Sequence, residues 1–283
     1  MNKTMKKILF MFAAALMMVA CSNEEIVTND DVQYVSELKL NFGKGDSRIA
    51  ATHDPASGLK FAWEDGEEIV VYENANADAL TLYYVYDQAS NSFKAKYDSY
   101  KMIVGKEYFA VNHTRQTNIP LSLDENDKTI VKMNIERKEP YGLSTIPMIT
   151  DVFTAEDDAT IATMHHLVGV VEIPVKLAEG ATITTMTQFS LYASGAKLGR
   201  DFTATPEKPY IKSTDDAYDT STIAGCELST TYKSIFIPVL PGTYSNANLN
   251  YYYNESSGYV SLGNITVERG KITKVAETTV NPT

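Results

Sequence analysis

The sequence has few cysteines, which form the disulfides of small exported domains, and few histidines, which are common in catalytic and metal sites. Of its 283 residues, two are cysteine, one is tryptophan and four are histidine. Two cysteines cannot build the disulfide framework of a small secreted domain. No G-x-S-x-G, H-E-x-x-H or P-loop pattern occurs, and the adjacent His165 and His166 would point to opposite faces of a strand. We expect no enzyme, no cofactor and no metal site; a carboxylate pair facing one cleft is the remaining enzymatic alternative.

Positive charge is also scarce. The chain has 25 Lys and Arg against 36 Asp and Glu, which gives a formal net charge of −11. Nucleic-acid binding depends on clustered Lys and Arg that contact phosphates. The composition therefore predicts no nucleic-acid partner.

Only one long apolar run is present, and it lies near the N-terminus. Ile8–Val19 follows Lys3, Lys6 and Lys7. A transmembrane helix needs roughly 20 apolar residues, so this run is too short to span a bilayer. A basic start followed by a short apolar run is typical of a signal peptide. We predict a signal peptide over residues 1–20, whose removal lowers the net charge to −14, because it takes away three lysines and no acid.

The end of this run is similar to the lipobox of bacterial lipoproteins. Met18, Val19 and the small Ala20 directly precede Cys21. The resemblance implies a diacylglyceryl thioether on Cys21, cleavage before it, and acylation of the new amino group by a fatty acid such as palmitate. One acyl chain binds a membrane only marginally, at about 0.8 kcal/mol per buried CH₂, whereas three would anchor the protein firmly. We therefore expect a surface-exposed outer-membrane lipoprotein, with residues 21–31 as its lipidated tether.

Beyond the tether, short runs of alternating apolar and polar residues predict strands. Leu38, Leu40 and Phe42 begin the pattern, and turn-rich breaks such as "NESSG" at 254–258 interrupt it. Trp63 precedes one predicted strand and is interpreted as a core residue. The fold class is mostly β. Because domains commonly span about 100–150 residues, we predict two tandem antiparallel β-sandwiches of the transthyretin-like or Greek-key type, over residues 32–158 and 159–283.

Five stretches spread along the chain resemble the fimbrillin-like family, the pilins of type V pili in Gram-negative gut and oral bacteria. They are "FAWEDGEEIVVYE" (61–73), "IPMIT" (146–150), "MHHLVGVVEIPV" (164–175), "IFIPVLPGTY" (235–244) and "VERGKITKV" (267–275). Each stretch is short, but their order and spacing, together with the lipobox, make the resemblance fairly specific. The resemblance implies a structural subunit of a cell-surface fimbrium that takes part in cell adhesion, with other pilus subunits as partners.

The resemblance also implies a route of assembly. A trypsin-like protease would cut between Arg48 and Ile49, just after the first strand, and release the lipid and that strand together. The opened sheet edge is a template for a strand from another chain. By the same resemblance, the donor strand would be Lys271–Val280, through Ile272, Ala276, Thr278 and Val280.

A second function remains open at this point. The chain could be a permanently lipid-anchored surface protein, acting as an adhesin or as a pilus tip or anchor subunit. It would then bind glycan or peptide through exposed tyrosines such as Tyr251–Tyr253. The mature N-terminus separates the two functions, because acylated Cys21 indicates the anchored protein and Ile49 indicates the pilin. The sequence does not distinguish shaft, tip and anchor subunits.

Overall fold

The computed structural model describes residues 32–42, 52–54, 58–60, 63–112, 121–135, 146–157, 160–207 and 210–283 of the chain. These residues form strands joined by turns, because short alternating runs are separated by clusters of Gly, Asn, Asp and Ser. In chain order the strands are β1 (Tyr34–Val35), β2 (Glu37–Phe42), β3 (Thr52–Asp54), β4 (Gly58–Lys60), β5 (Glu68–Glu73), β6 (Leu82–Asp87), β7 (Ser92–Ala95), β8 (Met102–Ile103), β9 (Glu107–Asn112), β10 (Leu121–Leu123), β11 (Thr129–Asn134), β12 (Met148–Thr150), β13 (Phe153–Thr154), β14 (Thr160–His166), β15 (Gly169–Leu177), β16 (Gln188–Tyr192), β17 (Gly199–Ala204), β18 (Ile211–Ser213), β19 (Ala217–Tyr218), β20 (Thr220–Ala224), β21 (Lys233–Val239), β22 (Gly242–Tyr253), β23 (Ser256–Val267), β24 (Ile272–Lys274) and β25 (Thr278–Val280).

The largest sheet closes on itself. Its strands follow the order β12–β14–β2–β7–β6–β5–β9, and β12 also pairs with β9 through Ile149 and Val111. β13 adds to β9 at the side. Inside this ring, aliphatic and aromatic side chains form one cluster, in which Tyr84, Phe93 and Met164 are fully buried. Every strand of the ring therefore has a neighbour on each side.

A second layer packs against the outer face of part of this ring. β11 pairs with β10 and β17, and β17 pairs with β18 and β19. The buried cluster between the layers includes Val131, Phe202, Val70, Phe109 and Phe236. It therefore joins residues from the ring, the covering sheet and the C-terminal part of the chain.

The C-terminal part is a sandwich of two sheets. One has the order β21–β15–β24, with β25 also paired to β15, and the other has the order β20–β16–β22–β23. Ile173, Phe189 and Leu249 belong to the buried cluster between them. The alternation of the sequence accounts for this core, because every second side chain of a strand faces the opposite sheet.

The prediction of a mostly β, sandwich-type fold is confirmed. Three pairings are parallel rather than antiparallel: β2 with β14, β15 with β24, and β15 with β25. All three join segments that are distant in sequence and need no short hairpin. The division at residue 158 stays a prediction: residues Tyr34–Thr283 cluster into one compact unit, and β14, which follows residue 158, pairs with β2 and β12, which precede it.

Candidate functional site: the groove of the N-terminal strand

β2 lies in the interior of the closed sheet although it is close to the N-terminus. On one side it pairs antiparallel with β7, with Leu38 opposite Phe93. On the other side it pairs in parallel with β14, from Leu38 opposite Thr160 to Phe42 opposite Met164. If β2 left, β7 and β14 would each present unpaired backbone N–H and C=O groups toward the gap. This gap is the candidate site, and we call it the β2 groove.

Every second side chain of β2 faces the core of the ring. Leu38 is fully buried, and Leu40 and Phe42 are partly buried against the same cluster. Lys39 and Asn41 point to solvent. Full burial of an aliphatic or aromatic side chain contributes about 1.5–3 kcal/mol. Because Leu40 and Phe42 are only partly buried, the three side chains together stabilise the ring by less than about 9 kcal/mol, before ordering costs are subtracted.

Trp63 lies at the end of the β2 groove, as its interpretation as a core residue requires. Its ring stands edge-on to Phe93 with centroids 4.7 Å apart and stacks with Phe42 at 6.2 Å. Tyr86 completes the group at 6.4 Å. Phe42 is the last residue of β2 and the next inward side chain after Leu40. A side chain that takes its place in the β2 groove would therefore pack against this aromatic group.

A buried tyrosine ties the start of the N-terminal segment to the ring. The Tyr84 hydroxyl donates to the carbonyl oxygen of Val35 at 2.6 Å and accepts from the N–H of Met102 at 3.1 Å. Burial raises the pKa of Tyr84 to about 12, so the hydroxyl keeps its proton at neutral pH. Leaving such a donor buried without an acceptor costs about 1–3 kcal/mol. A strand that replaces β1 and β2 must therefore offer a carbonyl at the position of Val35.

The C-terminal segment is also paired within its own chain. Ile272–Lys274 and Thr278–Val280 both lie parallel to β15, opposite Val170–Glu172 and Val175–Leu177 respectively. The pairing is interrupted beside Pro174, which has no N–H to donate. This interruption divides the segment into β24 and β25.

The four predicted donor residues do not share one face. Thr278 and Val280 are 4% and 0% exposed, and Val280 belongs to the core of the C-terminal sandwich. Ile272 is partly buried against the cluster that joins the layers, and Ala276 is exposed in the link between β24 and β25. The donor role of this segment stays a prediction.

Two tyrosines of β22 hold the end of this segment. The Tyr251 hydroxyl accepts from the N–H of Asn281 at 3.3 Å and donates to its carbonyl at 3.4 Å. The Tyr253 hydroxyl bonds the N–H and the carbonyl of Thr283 in the same way, each at 3.3 Å. The expectation that Tyr251–Tyr253 are exposed is wrong for Tyr251 and Tyr253, which are buried, because alternate residues of β22 face the sandwich core.

The predicted lipidation and cleavage residues, Cys21, Arg48 and Ile49, lie outside the described residues, and their roles stay predictions.

Cys226 is partly buried, and burial raises the pKa of its thiol to about 11. A thiol with this pKa is a poor nucleophile at neutral pH, because the thiolate is the reactive form.

The two adjacent histidines have separate surroundings. His166 is buried, whereas the His165 Nε2 lies 3.0 Å from Asp151 Oδ2 and its ring stacks on Tyr210.

In the described ranges, no group of three or more His, Cys, Asp or Glu side chains is placed to hold a metal ion. The same ranges contain no helix that is both long and apolar enough to cross a bilayer.

The architecture is that of an all-β protein with a closed N-terminal sheet, a C-terminal sandwich and an interior strand, β2, near its N-terminus. Sequence comparison with known families and with curated proteins finds no match. Among solved structures, the chain is similar to a protein assigned to cell adhesion from Bacteroides ovatus, with 13% identity over 87% of this chain and 92% of that one and a TM-score of 0.53.

Further solved structures match less closely. A protein assigned to cell adhesion from Bacteroides uniformis has 13% identity over 89% of this chain and 94% of that one, with a TM-score of 0.44. A fimbrial protein from Bacteroides vulgatus has 9% identity over 86% and 95%, with a TM-score of 0.39. The fold implied by the resemblance read from the sequence is thus confirmed, through the Bacteroides ovatus structure.

Proposed function

We propose that this chain is the lipoprotein precursor of a fimbrial subunit, anchored in the outer membrane and polymerised by donor-strand exchange. The observation that carries the proposal is the interior position of β2. A cut at Arg48 removes a strand that has neighbours on both sides, and so opens a groove rather than trimming an edge. The similarity in fold to a protein assigned to cell adhesion supports a role at the cell surface.

The groove sets conditions that an incoming strand must meet. It must run parallel to β14 and antiparallel to β7, as β2 does. It must insert apolar side chains at alternate positions in place of Leu38, Leu40 and Phe42, and it must offer a carbonyl to Tyr84. Strand addition of this kind draws affinity from the main-chain ladder and specificity from the side-chain pockets.

The C-terminal segment of a neighbouring copy is the proposed donor. Thr278 and Val280 supply alternate inward side chains for two of the three positions, on a short strand at the edge of its sheet. Its one described strand neighbour is β15, so its transfer breaks one ladder and the Tyr251 and Tyr253 bonds. In the β2 groove the strand would have a neighbour on both sides, β7 and β14, instead of on one, which favours the transfer.

The alternative, a permanently anchored surface protein that binds glycan or peptide, predicts a mature chain that keeps Cys21 and β2. This alternative relied on exposed tyrosines as the binding surface, and Tyr251 and Tyr253 are buried. We therefore prefer the fimbrial subunit as the proposed function.

Replacing Arg48 with Ala tests the proposal. We expect the variant to accumulate as lipid-bearing precursor and to form no polymers, because β2 keeps the groove filled. Mass spectrometry of the protein from its native cells should find Ile49 as the mature N-terminus of the wild type and acylated Cys21 in the variant. The matched control is Lys44→Ala, a basic residue of the same segment, which should be processed normally. Polymers with an unchanged N-terminus in Arg48→Ala would contradict the proposal.

Replacing Cys21 with Ala tests the anchor. We expect metabolic labelling with a clickable palmitate to mark the uncleaved precursor of the wild type and not that of the variant, because Cys21 is the residue that would carry the thioether-linked lipid. Cys226→Ala serves as the control and should label like the wild type. Equal labelling of Cys21→Ala and the wild type would show that the segment before Cys21 is no lipobox.

A further inference from the structure

The long hairpin of β22 and β23 ends in an edge strand without charge. Across residues 210–283, β23 pairs with β22 and no other strand. Its sequence, SSGYVSLGNITV over Ser256–Val267, contains no Lys, Arg, Asp, Glu or Pro. Exposed edges are usually protected from pairing with other chains by charge, proline or bulges. β23 has only a bulge, at Gly263 with φ +75°, so the stretch Ser256–Ser261 keeps a regular register and an unprotected edge.

The side chains of this edge are incompletely covered. Val260 and Leu262 face the sandwich core but are only partly buried against it. On the opposite face, Tyr259 is 71% exposed, the highest exposure of any large apolar or aromatic side chain in the described ranges. A further strand beside β23 would cover Val260, Leu262 and the edge of the Tyr259 ring together.

We propose that two copies of this chain pair through β23, antiparallel, about a two-fold axis at Tyr259. This register places Ser257 opposite the Ser261 of the second copy, Gly258 opposite Val260, and the two Tyr259 side chains opposite each other. Cross-strand aromatic pairs are favourable in sheets. A two-fold axis makes one strand complementary to itself, because each contact is repeated on both sides of the axis.

The lack of charge on β23 makes it a surface at which two copies can meet. The chain has a net charge of −11, so like charges oppose the approach of two copies elsewhere. The β23 register brings only neutral side chains together, and Glu255, the acid of the hairpin turn, falls opposite Gly263. The inference is independent of donor-strand exchange, because it does not involve the β2 groove or the C-terminal segment.

The seam is short, so the pairing is weak and reversible. Six residues span about 20 Å at about 3.4 Å per residue, and a seam of this size lies below the roughly 1,200 Å² of a stable interface. Dimers are therefore expected to form in a concentration-dependent way, in the range of about 10–500 μM.

Sedimentation velocity of the full chain carrying Cys21→Ala measures this equilibrium directly. Tyr259→Lys would place two positive charges on the two-fold axis and should raise the dissociation constant at least about tenfold. Tyr100→Lys, which changes an exposed tyrosine outside the strands, is the matched control and should dimerise like its parent. A parent that stays monomeric up to about 1 mM, or a Tyr259→Lys variant that dimerises normally, overturns the proposal.

Disulfide trapping tests the register in the same Cys21→Ala background. Directly opposite residues of antiparallel strands have Cα atoms about 4.5–5.5 Å apart, which a disulfide spans. Tyr259→Cys should therefore cross-link to itself on mild oxidation. Ser257→Cys should not, because its copy lies about 14 Å away, but it should cross-link to Ser261→Cys in a mixture. The parent, which keeps Cys226, controls for unrelated disulfides. The register is overturned if Tyr259→Cys and Ser257→Cys, each tested by itself, cross-link to the same extent. It is also overturned if neither variant cross-links.

Discussion

A chain that begins at Ile49 is expected to lose most of the stability of its N-terminal sheet and to regain it when an extended peptide is supplied. The chain lacks β1 and β2, so Leu38, Leu40 and Phe42 no longer cover the ring. Their loss costs several kcal/mol, up to about 9 kcal/mol, and a whole domain is stable by only about 5–15 kcal/mol. The denaturant midpoint of the shortened chain should fall far below that of the full chain, and it should rise as a peptide of residues 33–42 is added.

The peptide also shows what the groove recognises. A peptide of residues 33–42 with Leu38→Asp and Leu40→Asp is the control and should not restore the midpoint, because each carboxylate would be buried in the apolar core of the ring. A peptide of residues 271–283 should bind to the shortened chain if it is the donor. A shortened chain as stable as the full one, with no response to the peptide of residues 33–42, would show that β2 contributes little to the ring.

Deletion of Ala276–Thr283 is expected to leave a folded monomer that cannot extend. The deletion removes the buried Thr278, Val280 and Pro282 and the hydrogen bonds to the two β22 tyrosines. One fully buried valine alone contributes about 1.5–3 kcal/mol, so we expect a clear loss of stability. The pairing of β24 with Val170–Glu172 of β15 is retained. Circular dichroism should keep its β signature, and denaturant-resistant ladders on a gel should vanish.

The full chain with Thr279→Ala is the control for this deletion. Thr279 points to solvent between two buried residues, so its change should leave both stability and ladders as they are. An unfolded truncated monomer would show that β25 is an integral strand of its own sandwich. Normal ladders from a folded truncated chain would exclude the donor role.

Local patterns were sufficient to predict the strands but not their partners. The alternation of Leu38, Leu40 and Phe42 predicts β2 and its inward face, and both are present. The parallel pairing of β2 with β14 joins residues more than a hundred positions apart, and short-range periodicity contains no signal for such a contact. The same holds for the closure of the ring through Ile149 and Val111.

The composition of residues 254–258, at the tip of the β22–β23 hairpin, led to a wrong prediction. "NESSG" reads as a loop because Asn, Ser and Gly favour turns. In the structure only Asn254 and Glu255 turn, with Asn254 at φ +48°, and Ser256 begins β23. Gly258 belongs to the strand for a packing reason: a Cβ there would lie 2.4 Å from the Tyr251 ring. The proximity of that ring could not be read from sequence neighbours.

The candidate site was predicted in part for the same reason. The N-terminal strand and a basic residue after it are local features, and the sequence contains them. That β2 is an interior strand, that Tyr84 needs a carbonyl from Val35, and that the C-terminal segment is held by Tyr251 and Tyr253 all depend on long-range contacts. The imperfect alternation of this segment is one sign of structure that the sequence did contain, since the segment forms two short strands that pair with β15 before and after Pro174.

The parallel pairing of β2 with β14 has a consequence for the order of folding. β2 is among the first strands to emerge during synthesis, yet its pairing with β14 must wait until residue 166 has followed. Closing so long a loop carries a large entropy cost before any contact offsets it, and contacts of high sequence separation slow folding. β2 is therefore expected to dock late, onto a ring whose other strands have already paired. An element that docks late unfolds early along the same path, so the last strand to enter the ring would also be the one that leaves over the lowest kinetic barrier.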